Sequence, residues 1–288
     1  MKKLEFSKMH GAGNDYIYVD CTNDCGEALW LLAERLSDRH KGIGADGLVL
    51  IMNSEIADFK MRMFNADGSE GKMCGNAARC VGKYVYEKGM TKKSVVTLET
   101  LSGVKVLDLH LDGGKVASVT VDMGCPTLEA ARIPVRAQNP EKVELSTSQG
   151  VVTLTAVSMG NPHGVVFCNL DDVDVHRLGK ELECHPAFPD RANIEFVEVE
   201  NSQRLRMRVW ERGSGETMAC GTGACASLVA AVITGKSDRK AVLQLLGGDL
   251  TVEWREADNH VYLTGPAEFC FEGVVEYEEK EVTLPSRQ

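Results

Sequence analysis

The sequence is poor in the features that mark membrane proteins and nucleic-acid-binding proteins. Its richest apolar stretch, Ser227–Thr234, is far shorter than the roughly 20 residues that span a bilayer. Lys and Arg number 32 against 42 Asp and Glu, and the resulting net charge of -10 repels phosphate backbones and anionic lipid. Residues 1–8 place Glu5 and Lys8 where a signal peptide needs an apolar run. We therefore expect a cytoplasmic protein that binds neither nucleic acid nor membrane.

The ten cysteines lack the spacing of a metal site or a redox motif. No Cys-x-x-Cys is present, and no pair of histidines at metal-ligand spacing accompanies the cysteines. Their irregular positions are also unlike the dense disulfide framework of a small secreted domain. We expect free thiols and no bound metal. The cysteines expected to pack as small apolar residues are Cys21, Cys25, Cys80, Cys125, Cys168, Cys184, Cys225 and Cys270.

The most informative feature that is present is an internal repeat. The 288 residues allow about two domains of roughly 150 residues each. Phe64–Ala78 and Trp210–Ala224 both contain an aromatic residue, then a glutamate, then Cys-Gly-[Asn/Thr]-x-Ala, and they stand about half the chain apart. Met9–Asn14 and Ser158–Asn161 match at nearly the same offset. Two copies of one mixed α+β unit explain this register better than a single long domain.

Each copy is predicted to contain the same elements in the same order. The opening strands are Leu4–Met9 and Val151–Val157, which show alternating or β-branched residues. The helices that follow Cys-Gly are Ala77–Lys88 and Gly223–Ile233, stopped by Gly89 and Gly235. Alternating strand patterns then run through Val95–Val121 and Ala241–Leu263.

Cys74 and Cys220 differ from the other cysteines because each precedes a glycine and a predicted helix start. Unpaired backbone N–H groups and the positive end of the helix dipole gather there, where they bind carboxylate and stabilise thiolate. Two such helix ends that converge on one carboxylate would hold the adjacent Cα between two sulfurs. One sulfur would remove the α-proton and the other would donate to the opposite face. The pattern favours a cofactor-free racemase or epimerase.

At these residues the sequence resembles a known family, diaminopimelate epimerase. The resemblance lies in Phe64–Asn76 and Glu211–Gly223, and it extends in the expected order through Met9–Asp15, Arg39–Gly47, Ser158–His163 and Arg191–Asn193. It implies an α+β fold of two pseudo-symmetric domains, each a β-sheet wrapped around a central helix, with the active site in the cleft between them. Its final strand returns to the first domain. The expected domains are residues 1–121, completed by 266–288, and residues 122–265.

The resemblance also implies the site. Cys74 and Cys220 would be the acid and base, assisted by His163 and Glu211, with no pyridoxal phosphate and no metal. The residues implied in substrate binding are Asn14, Asn65, Gly75, Asn76, Asn161, Asn193, Glu211, Arg212, Gly221 and Thr222. Among them, the backbone of Gly75–Asn76 and Gly221–Thr222 would hold the reacting carboxylate, and Arg212 would pair with the distal one. The active protein would be a homodimer that binds a small amino acid.

Two positions depart from the family's pattern. Gly47 stands where many members carry Gln, and Ala77 stands where many carry Gly. The repeat aligns Gly47 with Asn193, so we leave Gly47 out of the site. We expect Gly47→Gln to be tolerated, with more effect on substrate affinity than on chemistry. The methyl group of Ala77 should be accommodated at a helix start.

Three functions remain in consideration. The resemblance implies interconversion of LL- and meso-diaminopimelate in lysine biosynthesis. Another two-cysteine racemase, acting on proline, hydroxyproline or several amino acids, is the alternative within the superfamily. Arg212 and the many amide side chains favour a substrate with a charged second end. A thiol redox or metal-binding protein is the alternative of a different class, and the absence of Cys-x-x-Cys argues against it.

Overall fold

The described chain forms two compact units. A computed structural model describes residues 1–23, 25, 28–278 and 281. Unit 1 consists of Met1–Val121 together with the described residues from Pro266 onward, and unit 2 is Asp122–Gly265. Across these described residues, no helix is long and apolar enough to cross a membrane.

Unit 1 is a mixed sheet with one long helix. Its elements are β1 (Lys2–Gly11), β2 (Asn14–Asp20), α1 (Ala33–Ser37), β3 (Gly47–Met52), β4 (Phe59–Asn65), β5 (Glu70–Gly71), α2 (Gly75–Glu87), β6 (Val95–Thr100), β7 (Gly103–Asp112) and β8 (Lys115–Asp122). The last described strand, β18 (Glu268–Tyr277), completes it by pairing antiparallel with β1. From β1 the sheet continues through β2, β3, β4, β6, β7 and β8, with parallel pairing between β2 and β3 and between β4 and β6.

Unit 2 has the same topology. Its elements are β9 (Val143–Thr147), β10 (Gly150–Ser158), β11 (Pro162–Phe167), α3 (Val175–Glu183), β12 (Asn193–Asn201), β13 (Arg204–Glu211), β14 (Gly215–Glu216), α4 (Gly221–Ile233), β15 (Lys240–Leu245), β16 (Gly248–Trp254) and β17 (Val261–Gly265). The sheet order is β9, β10, β11, β12, β13, β15, β16 and β17, and its parallel pairs are β11 with β12 and β13 with β15. In this unit β9 takes the place that the last strand, β18, takes in unit 1. The repeat and the α+β fold predicted from the sequence are therefore confirmed.

Each sheet wraps around its long helix. Helix α2 is buried from Gly75 to Val85 and packs on β1, β2 and β7. Helix α4 packs on β10, β11, β12, β15, β16 and β17. The residues of α4 are small or apolar on nearly every side of the helix, which is typical of a helix that is buried all round. The short helices α1 and α3 join two further apolar clusters, one in each unit.

The two long helices begin and end alike. Cys74 and Cys220 are the N-cap residues, so each helix starts two residues earlier than predicted. Gly89 and Gly235 stop the helices, as predicted, with φ of 73° and 70°. This left-handed conformation lets the next backbone N–H reach back to the last turn, from Met90 to Val85 and from Lys236 to Ala231.

The prediction that the other eight cysteines are buried thiols is wrong for five of them. Cys21 and Cys25 form a disulfide, with their Cα atoms 5.0 Å apart. Cys125, Cys184 and Cys270 are exposed thiols. They lie in the loop after β8, at the end of α3, and on an outward position of β18. Cys80 and Cys225 are buried in the helices, as expected, and Cys168 is half-buried.

Candidate active site

In unit 1, Cys74 lies where β2 and the start of α2 meet. Its backbone is extended, and its carbonyl accepts the first helical bond, from Ala78. Its Sγ lies 3.4 Å from Asn14 Oδ1, to which the thiol donates. Gly75 and Asn76 form the first turn of the helix, where backbone N–H groups have no partner within the helix. The structure thus brings Cys74, Gly75, Asn76 and Asn14 together.

Two residues that the sequence analysis missed fix the amides beside Cys74. Arg79 is fully buried, and its Nη2 donates to Asn76 Oδ1 at 2.8 Å. Asn76 Nδ2 donates to Asn14 Oδ1 at 3.1 Å, and Asn14 Nδ2 donates to Asp46 Oδ2 at 2.7 Å. The Arg79 guanidinium can only donate and the Asp46 carboxylate can only accept, so the amides of Asn76 and Asn14 each have one possible orientation. In that orientation the carbonyl oxygen of Asn14 faces Cys74. We call Cys74, Asn76, Asn14, Arg79 and Asp46 the unit 1 cluster.

Further charges surround Asp46. Arg39 bridges Asp15 and Asp46, and Lys8 pairs with Asp15. Burial opposes ionisation of Asp15, but hydrogen bonds from Arg39 and Lys8 hold its pKa below the usual value. Burial and the nearby charge of Asp15 raise the pKa of Asp46.

In unit 2, Cys220 is buried at the start of α4. Its Sγ accepts from the Gly223 N–H at 3.3 Å and lies 3.5 Å from Thr222 Oγ1. Burial raises the pKa of the Cys220 thiol well above its ordinary value, and the charges of Glu211 and Glu195 raise it further. The bonds from Thr222 and Gly223 act in the opposite direction.

A chain of side chains runs from β12 to Cys220. Glu195 Oε1 lies 2.7 Å from His163 Nδ1, and neither side chain has exposed surface. His163 Nε2 lies 3.0 Å from Asn161 Oδ1, and Asn161 Nδ2 lies 3.3 Å from Thr222 Oγ1. We call Cys220, Thr222, Asn161, His163 and Glu195 the unit 2 cluster. Sequence analysis missed Glu195, although a glutamate inside the apolar strand of Asn193–Val197 was the available signal.

Three predicted substrate-binding residues have protein partners instead of contacts with either cysteine. Asn193 donates to Pro162 O and accepts from the Arg212 N–H, so both ends of its side-chain amide are hydrogen-bonded to the backbone. Asn65 donates to Ser69 Oγ within the turn after β4. The exposed Arg212 side chain donates from Nη1 to Asp190 O at 3.0 Å.

Glu211 ends β13, and its Oε1 accepts from Thr217 Oγ1 at 2.5 Å. Its charge is one cause of the raised pKa of Cys220, so Glu211 acts electrostatically on the unit 2 cluster. Within the described part of the chain, no three His, Cys, Asp or Glu side chains are grouped so that they could hold a metal ion.

The prediction that Gly47 tolerates Gln is wrong. Gly47 begins β3 opposite Asn65, and a Cβ atom there would lie 2.1 Å from the Phe64 carbonyl oxygen and 2.9 Å from a Tyr16 ring carbon. A backbone oxygen cannot turn away as a side chain does. Glycine is required here by the close approach of β4, not by a positive φ.

Comparison with solved structures shows which proteins share the fold of this chain. A PhzF-family phenazine biosynthesis protein of Bacillus anthracis aligns with a TM-score of 0.72 and 17% identity, covering 96% of this chain and 100% of that one. A hydroxyproline epimerase of Agrobacterium vitis, with trans-4-hydroxy-L-proline bound, aligns with a TM-score of 0.68 and 17% identity, covering 95% and 92%. The chain therefore has the two-unit fold found in these proteins.

Sequence comparison identifies the family. The diaminopimelate epimerase family profile matches residues 6–129 and 155–270. The diaminopimelate epimerase of Acetivibrio thermocellus is 57% identical over 281 residues, which are 96% of this chain and 100% of that protein. That of Methanococcus maripaludis strain S2 is 53% identical, covering 95% and 100%, and that of Phocaeicola vulgatus is 53% identical, covering 95% and 98%. The chain belongs to the diaminopimelate epimerase family.

Proposed function

We propose that the protein interconverts LL- and meso-diaminopimelate in lysine biosynthesis, using Cys74 and Cys220 as acid and base. The observation that carries this proposal is that both cysteines cap the long central helices of two units with one fold. Each sulfur therefore lies beside backbone N–H groups suited to a carboxylate. The family relatives are named for this reaction.

The proposed reaction needs one thiolate and one thiol. The thiolate takes the proton from the substrate Cα and becomes a thiol. The other cysteine gives its proton to the opposite face of the carbanion and becomes a thiolate, so the configuration inverts and the charges balance. A single base that returned its proton to the same face would regenerate the starting isomer. Backbone N–H groups of Gly75–Asn76 and Gly221–Thr222 would hold the reacting carboxylate and stabilise the charge that develops beside Cα.

We assign the remaining predicted residues to binding and to support of the thiols. Arg212 presents an exposed guanidinium with one described hydrogen bond, to Asp190 O, and its other donors suit the distal carboxylate of the substrate. Asn14 contacts Cys74 and Asn161 contacts Thr222, and both would bind the substrate's amino-acid end. His163 and Glu211 would assist the thiols. The protein would act as a homodimer in the cytoplasm, and the two units would be the two domains of the enzyme.

The test is epimerisation of LL-diaminopimelate in deuterated water. Early meso product should carry deuterium at the inverted Cα, because the incoming proton comes from a solvent-exchanged thiol. Product that retains the substrate's own hydrogen would exclude the two-base reaction. L-Proline and trans-4-hydroxy-L-proline serve as parallel substrates, and turnover of either in place of diaminopimelate would assign the protein to the alternative racemases.

A further inference from the structure

Glu195 is a buried carboxyl group that the proposed reaction does not use. Its side chain has no exposed surface, and only Oε1 has a described hydrogen bond, to His163 Nδ1. Oε2 is buried with no hydrogen-bond partner among the described residues. Burial of a carboxyl group whose hydrogen bonds are incomplete costs free energy, so its presence calls for a reason beyond packing.

Helix α4 makes room for this carboxyl group. A Cβ atom at Gly223 would lie 2.6 Å from Glu195 Oε1, so only glycine fits with the carboxyl group in place. In unit 1 the matching positions hold Val49 and Ala77, because the pair Tyr18 with Val49 corresponds to Val165 with Glu195. The same fold therefore forms with an apolar residue at this position. The Glu195 carboxyl group is therefore part of the unit 2 cluster, and the fold does not require it.

The chain of contacts leads from Glu195 to Cys220 through three side chains, at 2.7, 3.0, 3.3 and 3.5 Å. We propose that Glu195 is a positioning residue that keeps the His163 proton on Nδ1 and turns Nε2 towards Asn161. Nε2 then remains as the nitrogen that exchanges its proton. This role rests on the proposed epimerase function, in which His163 assists the thiols.

The hydrogen bonds of Asn161 and Thr222 are compatible with a change of protonation at His163 Nε2. A protonated Nε2 donates to Asn161 Oδ1, as the observed amide orientation allows. An unprotonated Nε2 accepts from the Asn161 amide once that amide turns over. The Thr222 hydroxyl serves either orientation, because a hydroxyl both donates and accepts. His163 thus gains or loses the Nε2 proton without leaving a hydrogen bond unmade, provided that Nδ1 stays fixed by Glu195.

The first experiment uses the unaltered protein. Long-range ¹⁵N–¹H NMR of the histidine rings should show that the neutral His163 ring carries its proton on Nδ1. The His163 signal is assigned by its loss in His163→Gln. A neutral ring that carries its proton on Nε2 would overturn the proposal without any change at Glu195.

The second experiment replaces the carboxyl group by an amide of the same shape. In Glu195→Gln the amide donates or accepts, so the Nδ1 proton is no longer specified and both neutral forms of His163 should appear. We expect kcat with LL-diaminopimelate to fall at least about tenfold while KM changes less than about threefold, since proton transfer is affected more than binding.

Glu183→Gln is the matched control. Glu183 is another buried carboxylate of unit 2, held by Trp210 Nε1 and the Gly213 N–H. Its loss should lower Tm without changing the His163 spectrum. A Glu195→Gln protein that keeps both the His163 spectrum and kcat, and only loses Tm as Glu183→Gln does, would show a structural role alone. If the unaltered protein does not epimerise diaminopimelate, the proposed function fails, while the His163 spectra still decide the role of Glu195.

Discussion

Replacement of Gly47 by Gln tests how far a family pattern transfers to this chain. The pattern suggests that Gln at this position restores a substrate-binding amide. The structure places the would-be Cβ 2.1 Å from the Phe64 carbonyl oxygen, about 1 Å inside the closest contact that a carbon makes there. Strand β4 would have to move by that amount, and it carries Asn65 at the position opposite Gly47.

The expected cost of Gly47→Gln is large. Overpacking a closely packed interior costs typically about 1–3 kcal/mol, and a clash with backbone belongs at the upper end of that range. About 3 kcal/mol corresponds to a fall in Tm of about 6–12 °C for a domain of roughly 150 residues. Differential scanning calorimetry and circular dichroism measure this fall directly.

Gly71→Ala is the matched control for Gly47→Gln. Gly71 lies in β5 and pairs with Met63 of β4, and its added Cβ would meet the Met63 side chain at 3.0 Å. The flexible thioether can move away, so we expect a cost under about 1 kcal/mol. A Gly47→Gln protein with an unchanged Tm and a lower KM for diaminopimelate would refute the steric argument.

Four substitutions and one labelling experiment test the proposed chemistry. Cys74→Ser and Cys220→Ser should each abolish epimerisation, because a hydroxyl is a far weaker acid than a thiol and is not ionised at neutral pH. Tm should stay within a few degrees, because serine keeps the side-chain volume. Arg212→Lys should raise KM for diaminopimelate at least about tenfold, because an ammonium does not reproduce the two-pronged bond to a carboxylate. Cys220 should react slowly with iodoacetamide at pH 7, as followed by peptide mass spectrometry, and faster only above the usual thiol pKa of about 8.5. Its raised pKa keeps it a thiol at neutral pH, and Glu211→Gln should move the reaction to lower pH by removing a negative charge.

The repeat made much of the fold predictable from the sequence. Matching Cys-Gly segments imply matching helix starts, and the structure places both cysteines at N-caps. Gly89 and Gly235 predict the helix ends because few other residues adopt their left-handed backbone. Such signals are local, so they can be read without knowledge of the rest of the chain.

Two of the errors come from contacts between segments distant in the sequence, and the third is a local disulfide. The closeness of Gly47 to Phe64 depends on how β3 pairs with β4, and no local pattern records it. His163 meets Glu195 because β11 and β12 lie side by side in parallel. The disulfide joins Cys21 and Cys25, four residues apart, and that spacing is equally compatible with two free thiols.

The two clusters show that a repeated fold does not carry repeated chemistry. The fold puts each sulfur at the start of a buried helix, but the side chains around the two sulfurs differ. Cys74 faces an amide carbonyl oriented by Arg79 and Asp46, whereas the charges of Glu211 and Glu195 raise the pKa of Cys220. The proposed reaction in either direction needs one thiol and one thiolate, and burial together with the charges of Glu211 and Glu195 raises the pKa of Cys220, which favours its thiol form before substrate binds. The two sulfurs should therefore be equivalent in position within the repeat but not in reactivity. The kcat values for LL-to-meso and for meso-to-LL conversion should respond differently to changes in each cluster, while the ratio of the two kcat/KM values stays fixed by the equilibrium constant.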